Sequence, residues 1–422
     1  MKRVSQWIRP LSLSLMLGGV LTATAAQAGE VEVLHWWTSG GEAKAVASLK
    51  ATLEKKGDTW KDFAVAGGGG DSAMTVLKSR VLSGNAPAAA QIKGPSIQEW
   101  AQEGVLADIT PVATAEKWDS VLPKVVADVM KYKGKYVAAP VNVHRVNWLW
   151  MSTDAMKKAG VTKAPTTWDE FFATAEKFKK AGIIPLAHGG QDWQDFTTFE
   201  DVLLGVGGPD FYKKTMVKPE AASLNSPTMI KVLETYRKIK PYTDKNAPGR
   251  DWNLATQMVI KGEAGMQFMG DWAKGEFLAA NKAPGKDFLC APAPGTTKDF
   301  TFNVDSFAFF KLKDAAKIKA QNDLAQAIMA PEFQETFNLL KGSIPVRLNM
   351  DLSKFDSCAK DSSRDFVATS KTGTLLPSVA HGMALSSAAA GAVKDVVSQY
   401  WNNDSLSAAD AAKRIATAAM TQ

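Results

Sequence analysis

Past residue 28 no apolar run approaches the roughly 20 residues that a membrane-spanning helix needs, so the body of this 422-residue chain contains no candidate span. There is no run of basic residues; cations sit among acids, as in Glu176-Lys177-Phe178-Lys179-Lys180, which argues against a phosphate-tracking surface for nucleic acid or an anionic membrane. No GxSxG elbow, Walker loop or HExxH helix occurs. The four histidines, His35, His144, His188 and His381, are scattered without metal-ligand spacing, and no metal or cofactor is expected. The six tyrosines are dispersed too, unlike the Tyr/His cluster of an iron carrier. No repeat, low-complexity tract or long linker is present. Spacing leaves one enzyme class open: any two of the 43 acids could converge as the carboxylate pair of a glycoside hydrolase.

Only two cysteines occur, Cys290 and Cys358. They read as one disulfide closing a long loop, or as two buried thiols. An even count in an exported chain favours the bond.

Export is read from residues 1–28. Lys2, Arg3 and Arg9 form a positive start, Leu11 to Leu21 an apolar middle, and Ala26-Gln27-Ala28 a small-x-small cleavage site before Gly29. Removing this leader leaves 394 residues and takes the formal charge from +7 to about +4. A chain of that length exceeds one core and is expected to divide into two domains. With no linker, the chain should cross between lobes more than once, making a hinge.

Strand and helix patterns alternate throughout, which predicts an α/β architecture with largely parallel sheets. Strands are predicted over 31–37, 88–92, 136–140, 143–150, 183–187, 265–269 and, singly or as a pair, 302–312. Helices are predicted from the Thr38-Ser39-Gly40-Gly41-Glu42 turn to about Lys55, and over 71–83, 168–181, 314–329, 331–341 and from Ser407 onward. Ser96 is read as a cap, Thr167 and Glu170 as a capping box, and Ser226-Pro227 as a helix start.

Tryptophan is abundant, with twelve residues past the leader. The ordinary role of such rings is core filling. Trp36 and Trp37, however, end the first strand, where neighbouring side chains point to opposite faces and open α/β sheets bind ligands. Trp272 follows a strand in Gly270-Asp271-Trp272, while Trp193 and Trp252 lie in polar runs. Indole beside amides and charges suits a sugar, whose C–H face lies on the ring while its hydroxyls meet polar groups.

The stretches VEVLHWWTSGGE, GKYVAAPVNVHRVNWLWMSTDAM, PTTWDEFFATAEKF, GEAGMQFMGDWAKGEF and GSIPVR resemble, in order and across nearly the whole mature chain, the bacterial extracellular solute-binding proteins that feed sugars to ABC importers. The pattern is most similar to the glucose/mannose-binding branch of the maltose-binding group. The resemblance implies a two-lobed periplasmic binding protein fold with a hinge and an interlobe cleft. Lobe 1 would hold 29–140 plus 302–345, and lobe 2 would hold 141–301 plus 346–422.

It also implies a periplasmic monomer that captures a monosaccharide and hands it to a membrane permease, with a secreted carbohydrate-active hydrolase or lyase as the alternative. By position, the implied ligand groups are Trp36, Trp37, Glu42, Lys93, Trp252, Trp272, Asp305, Lys341 and His381. Asn142, His144, Arg145, Trp193 and Asn303 form a second tier. Without the resemblance, Glu42, Lys93 and Lys341 would read as solvated charges. The four glycines Gly67 to Gly70 exceed the usual loop length at that place.

Overall fold

A computed structural model describes residues 28–421. The expected leader therefore lies outside the described residues except for Ala28. Two large sheets with separate cores are joined by a small third sheet.

The first sheet has the order Thr59–Ala64, Glu30–His35, Ala89–Gln91, Ser306–Phe309, Ala138–Pro140. Its core forms for evident local reasons. Val31, Val33 and Leu34 in the opening strand are fully buried, and helix Gly40–Glu54 presents Ala45, Leu49 and Leu53 at four-residue spacing against it. The second sheet runs Phe288–Pro292, Trp148–Ser152, Ala264–Phe268, Ile184–Leu186, and the small one Leu375–Pro377, Phe300–Asn303, His144–Arg145. The second core gathers side chains from Leu149 to Ala419, beside a smaller cluster around Trp150, Phe277 and Phe288.

The sheets are mixed rather than largely parallel. Glu30–His35 is parallel to both neighbours, but Ser306–Phe309 is antiparallel to Ala89–Gln91 and Ala138–Pro140. The reason is the crossing between lobes. Ala138–Pro140 leaves its sheet toward the other lobe, and Ser306–Phe309 re-enters there after only Val304 and Asp305. A return that short cannot carry the chain round to the far edge.

Most predicted elements appear within a residue or two. Thr167 Oγ1 accepts from Glu170 N at 3.2 Å, although the Glu170 carboxylate turns back to Thr166 N rather than to Thr167. Ser226 caps its helix through Met229 N, and the 302–312 segment is a strand pair. Ser96 is not a cap: helix Pro95–Gln102 starts from Gly94, and the Ser96 hydroxyl meets Ser387 of the other lobe at 2.8 Å. At Gly94 (φ +50°) an added Cβ would stand 2.1 Å from the Gly382 carbonyl, so glycine permits this close approach of backbones. Cys290 and Cys358 form a disulfide joining strand Phe288–Pro292 to helix Ser357–Thr372.

Candidate functional site

A cavity of about 250 Å³ opens where the C-terminal ends of the parallel strands face the second lobe. Trp36 follows Glu30–His35, Ala66, Gly67 and Gly69 follow Thr59–Ala64, and Lys93 follows Ala89–Gln91, so three adjacent strand ends supply one wall. Trp193 and Trp252, at the starts of helices Asp192–Tyr212 and Trp252–Ile260, line the opposite wall with Trp272 and His381. His144, Asn303 and Asp305 come from the crossing segments.

Of the first-tier residues, Trp36, Glu42, Lys93, Trp252, Trp272, Asp305, Lys341 and His381 line this cavity. From the second tier, His144, Trp193 and Asn303 do so as well. Three do not. Trp37 is 2 % exposed and packs inside lobe 1, with ring centroids 5.6 Å from Phe307 and 5.2 Å from Phe337. Strand alternation has turned one indole of the pair to the cleft and the other to the core. Asn142 lies beneath the floor, where its Oδ1 accepts from Asp305 N at 3.1 Å. Arg145 points away. Its guanidinium bonds Asp365 at 2.7 Å and the Asp299 carbonyl at 3.2 Å, and stacks over Trp148.

The Trp36 ring is set by its surroundings. Gly70 (φ +113°) abuts it so closely that a Cβ would stand 3.1 Å from the indole, and the Lys93 ammonium sits 5.0 Å from the ring centroid. Gly69 (φ +59°) likewise leaves room for Trp193, whose ring a Cβ would meet at 3.2 Å. Two of the four glycines are thus the seats of two indoles from opposite lobes.

Asp305 is the best-determined polar group. Its Oδ2 accepts from His144 Nε2 at 2.9 Å and Asn142 Nδ2 at 3.3 Å, and its Oδ1 accepts from Gln91 Nε2 at 3.2 Å. Burial would raise its pKa, but His144, Lys341 and Lys93 outweigh that and hold it far below the ordinary carboxylate range. His144 also bonds Asp271 through Nδ1. Burial pulls the imidazole down, yet the carboxylates of Asp271 and Asp305 lift it above its usual value. An imidazolium between two carboxylates therefore keeps Asp305 ionised and fixed.

Glu42 accepts from Lys341 Nζ at 2.7 Å and from Ser39 Oγ at 3.1 Å, in the first turn of its helix, where an anion is favoured. His381 is the opposite of His144: burial, then Lys93 and His144, push it well down, so the ring is neutral. The Thr197 hydroxyl spends its proton on the Trp193 carbonyl at 2.8 Å, so it must accept from His381 Nε2 at 3.1 Å. That fixes the Nε2–H tautomer and leaves Nδ1 as an acceptor. Asn303 Oδ1 is buried without a partner and awaits a donor.

Sequence reasoning missed Thr38, Ser39, Gln191, Asp251 and Asn253 in the lining. It also missed two supports. Asp271 orients His144. Glu200 accepts from Tyr212 Oη, Ser378 Oγ and the Val379 and Ala380 amides, holding the segment that ends in His381. Asp251 and Asn253 flank Trp252, and Gln191 stands two residues before Trp193; that adjacency was the available signal. The arrangement offers flat apolar faces, fixed anions, ammonium groups and a neutral imidazole around one small space, and so suits an uncharged, many-hydroxyl solute.

Comparisons with known proteins agree with this architecture. A probable sugar-binding periplasmic protein of Brucella melitensis is 49% identical over 405 residues, covering 96% of this chain and 95% of that protein. One from Rhizobium meliloti is 50% identical over 386 residues, covering 91% and 92%. Among solved structures, the bacterial solute receptor AcbH, which has an exclusive substrate preference for β-D-galactopyranose, superposes with a TM-score of 0.76 at 20% identity, over 92% of this chain and 97% of that one. The two-lobed fold with its hinge and cleft is shared. Residues 36–330 match the bacterial extracellular solute-binding protein family, and the chain belongs to it.

Proposed function

We propose that this protein is the periplasmic sugar-binding component of an ABC importer. It captures a monosaccharide, glucose foremost and mannose second, and its closed form docks as a monomer on a membrane permease. In this reading residues 29–140 plus 302–345 form one lobe and 141–301 plus 346–422 the other. The ligand groups are Trp36, Glu42, Lys93, Trp252, Trp272, Asp305, Lys341 and His381, with His144, Trp193 and Asn303 beside them. The names of the Brucella and Rhizobium relatives support the sugar class. One observation carries the reading: indole rings from both lobes enclose a space whose floor holds Asp305, kept as a carboxylate by His144.

The cavity of about 250 Å³ falls below the range of roughly 300–1,000 Å³ typical of drug-sized ligands, which favours one ring over an oligosaccharide. Charge-assisted hydrogen bonds to hydroxyls are about twice as strong as neutral ones. With ring stacking they reach the about −8 kcal/mol of a micromolar complex. Calorimetry of the mature protein with glucose, mannose, galactose and maltose tests this. Micromolar binding of a hexose, with the sugar recovered intact, is the expected result. No heat and no melting shift with any of the four would overturn it.

A further inference from the structure

A second device lies outside the cleft lining, at Ala28 and Gly29, ahead of strand Glu30–His35. Ala28 is exposed and Gly29 is buried. The Gly29 backbone N–H donates to Asp58 Oδ1 at 3.1 Å, and its carbonyl accepts from Thr59 N at 2.8 Å. Only glycine fits there, since a Cβ would stand 2.3 Å from the Ala316 carbonyl and 2.6 Å from the Ala320 side chain. Asp58 is 4 % exposed, and its second oxygen, Oδ2, is buried without any hydrogen-bond partner. An unpartnered buried carboxylate oxygen is costly and calls for an explanation. Burial, and with it the neighbouring Asp323 carboxyl, raise the pKa of Asp58 against the pull of the Gly29 N–H and Lys319, whose Nζ lies 4.0 Å from Oδ2, beyond hydrogen-bond reach.

The missing donor is supplied by chemistry at Gly29 itself. We propose that hydrolysis of the Ala28–Gly29 bond by a leader protease creates an N-terminal ammonium that is received by Asp58, so that processing adds a hydrogen-bonded ion pair to a carboxylate whose cation contact in the precursor is Lys319 at 4.0 Å. One water adds across the amide: Ala28 departs with a carboxylate, and the Gly29 nitrogen becomes an ammonium. One donor becomes three, against a carboxylate with one oxygen free. The site thus assigns residue 29, rather than a neighbour, as the mature start. It also ties the first strand to helix Ala315–Met329, which carries Asp323. The proposal rests on the leader reading alone and is independent of what the cleft binds.

The groups facing the new ammonium are Asp58 on the turn before strand Thr59–Ala64, Asp323 and Lys319 on helix Ala315–Met329, and Lys56, 3.9 Å from Asp323. Glu30 and Lys317, 4.0 Å apart, lie outside this pocket at the surface. An ammonium paired in this way has its pKa raised above the usual ~7.7–8.0 of an α-amino group. Its contribution is therefore complete below that value and is lost as pH rises through the higher folded-state value.

The experiment compares full mature chains that start at Gly29 or at Ala28, each with Asp58 intact or as Asp58→Asn, by thermal melting between pH 6 and 10. The Gly29 start should melt about 2–4 °C higher than the Ala28 start at pH 7. That gap should vanish in the Asp58→Asn background and should close at high pH. Because both starts carry the same substitution, a general loss of stability in Asp58→Asn leaves the comparison intact. An equal gap in both backgrounds, no gap with Asp58 present, or an exported protein whose first residue is other than Gly29 would each overturn the proposal.

Discussion

The sharpest separation of binding from folding lies in two consecutive residues. Trp36 and Trp37 are one chemical type, yet the first lines the cleft and the second fills the core of lobe 1. Removing a core indole costs about 3–5 kcal/mol. At about 2–4 °C per kcal/mol, Trp37→Ala should lower the melting temperature by roughly 10 °C. Its hexose affinity should change little in the protein that remains folded, because its ring packs on Phe307 and Phe337 and meets the cavity lining only through the Lys341 ammonium, 5.9 Å from its centroid. Trp36→Ala should do the reverse. One indole face is about a third of the ~200 Å² that a tryptophan buries. At ~25 cal/mol per Å² its loss forfeits roughly 1.5 kcal/mol, or about tenfold in affinity. Calorimetric titration with glucose and differential scanning calorimetry on both variants read the two quantities. A Trp37→Ala protein that melts like wild type but binds tenfold more weakly would refute the assignment of faces, as would a Trp36→Ala protein with unchanged affinity.

The Asp271–His144–Asp305 chain predicts a pH profile. The raised imidazole contributes fully below its usual value near 6.5 and fades as pH climbs through its folded-state value, while depressed Asp305 contributes above the ordinary carboxylate value and fades on acidification. Affinity should hold while His144 stays protonated and Asp305 ionised, and should decline on the alkaline side as the imidazole loses its proton; Asp271→Asn should move that decline to lower pH in the same titration. Gly70→Ala sets a Cβ 3.1 Å from the Trp36 ring at a backbone φ of +113° and should weaken glucose binding, whereas Gly104→Ala, strained at φ +71° but with open space around it, should leave affinity unchanged. Replacing Cys290 and Cys358 together by serine opens a closure of 68 residues worth about 4 kcal/mol in the chain-entropy model; the melting temperature should fall while the affinity for glucose holds, since neither cysteine lines the cavity.

Periodicity made the strands and amphipathic helices legible, because one buried face per element writes its own spacing. It could not announce helix Asp192–Tyr212, whose residues 193–204 are all buried and which carries Gly205, Gly207, Gly208 and Pro209. An element covered on all sides leaves no polar stripe, and glycines with proline read as a loop. Site residues were legible where a rare type stood after a strand, as Trp36 and Trp272 did, whereas Asp305, Glu42, Lys93, Lys341 and His381 were reached through the family resemblance. Trp37 was misassigned because the resemblance placed both indoles of the pair at the ligand, whereas alternation turns two neighbours to opposite faces and leaves only one at the cleft. Gln191, Asp251 and Asn253 are common polar types in loops, and only the folded chain shows that they meet. Asp271 and Glu200 act through other residues, so no ligand chemistry marks them in the sequence.

The crossing segments also separate two kinds of ligand contact. His144 comes from the first crossing and Asp305 from the second. Asn142 binds them together, reaching Asp305 Oδ2 at 3.3 Å and Ser343 Oγ at 3.3 Å. Val143 N donates to the Ile344 carbonyl at 2.9 Å, so three segments distant in sequence are tied together at one place. If the lobes rotate about that place, a group there moves least, and Asp305 in its proposed ligand role would meet a sugar almost equally in the open and closed forms. Only contacts made in one form and absent in the other can bias the equilibrium between them. That task falls to the outer groups on opposite lobes, Trp36 and Gly69 on one side and Trp193 and Trp252 on the other. Asp305→Asn should therefore weaken binding while the remaining complexes still compact fully in small-angle scattering. Trp252→Ala should leave a complex that binds at the floor and closes incompletely. If both variants lost compaction in proportion to affinity, floor and rim would have to act as a single unit.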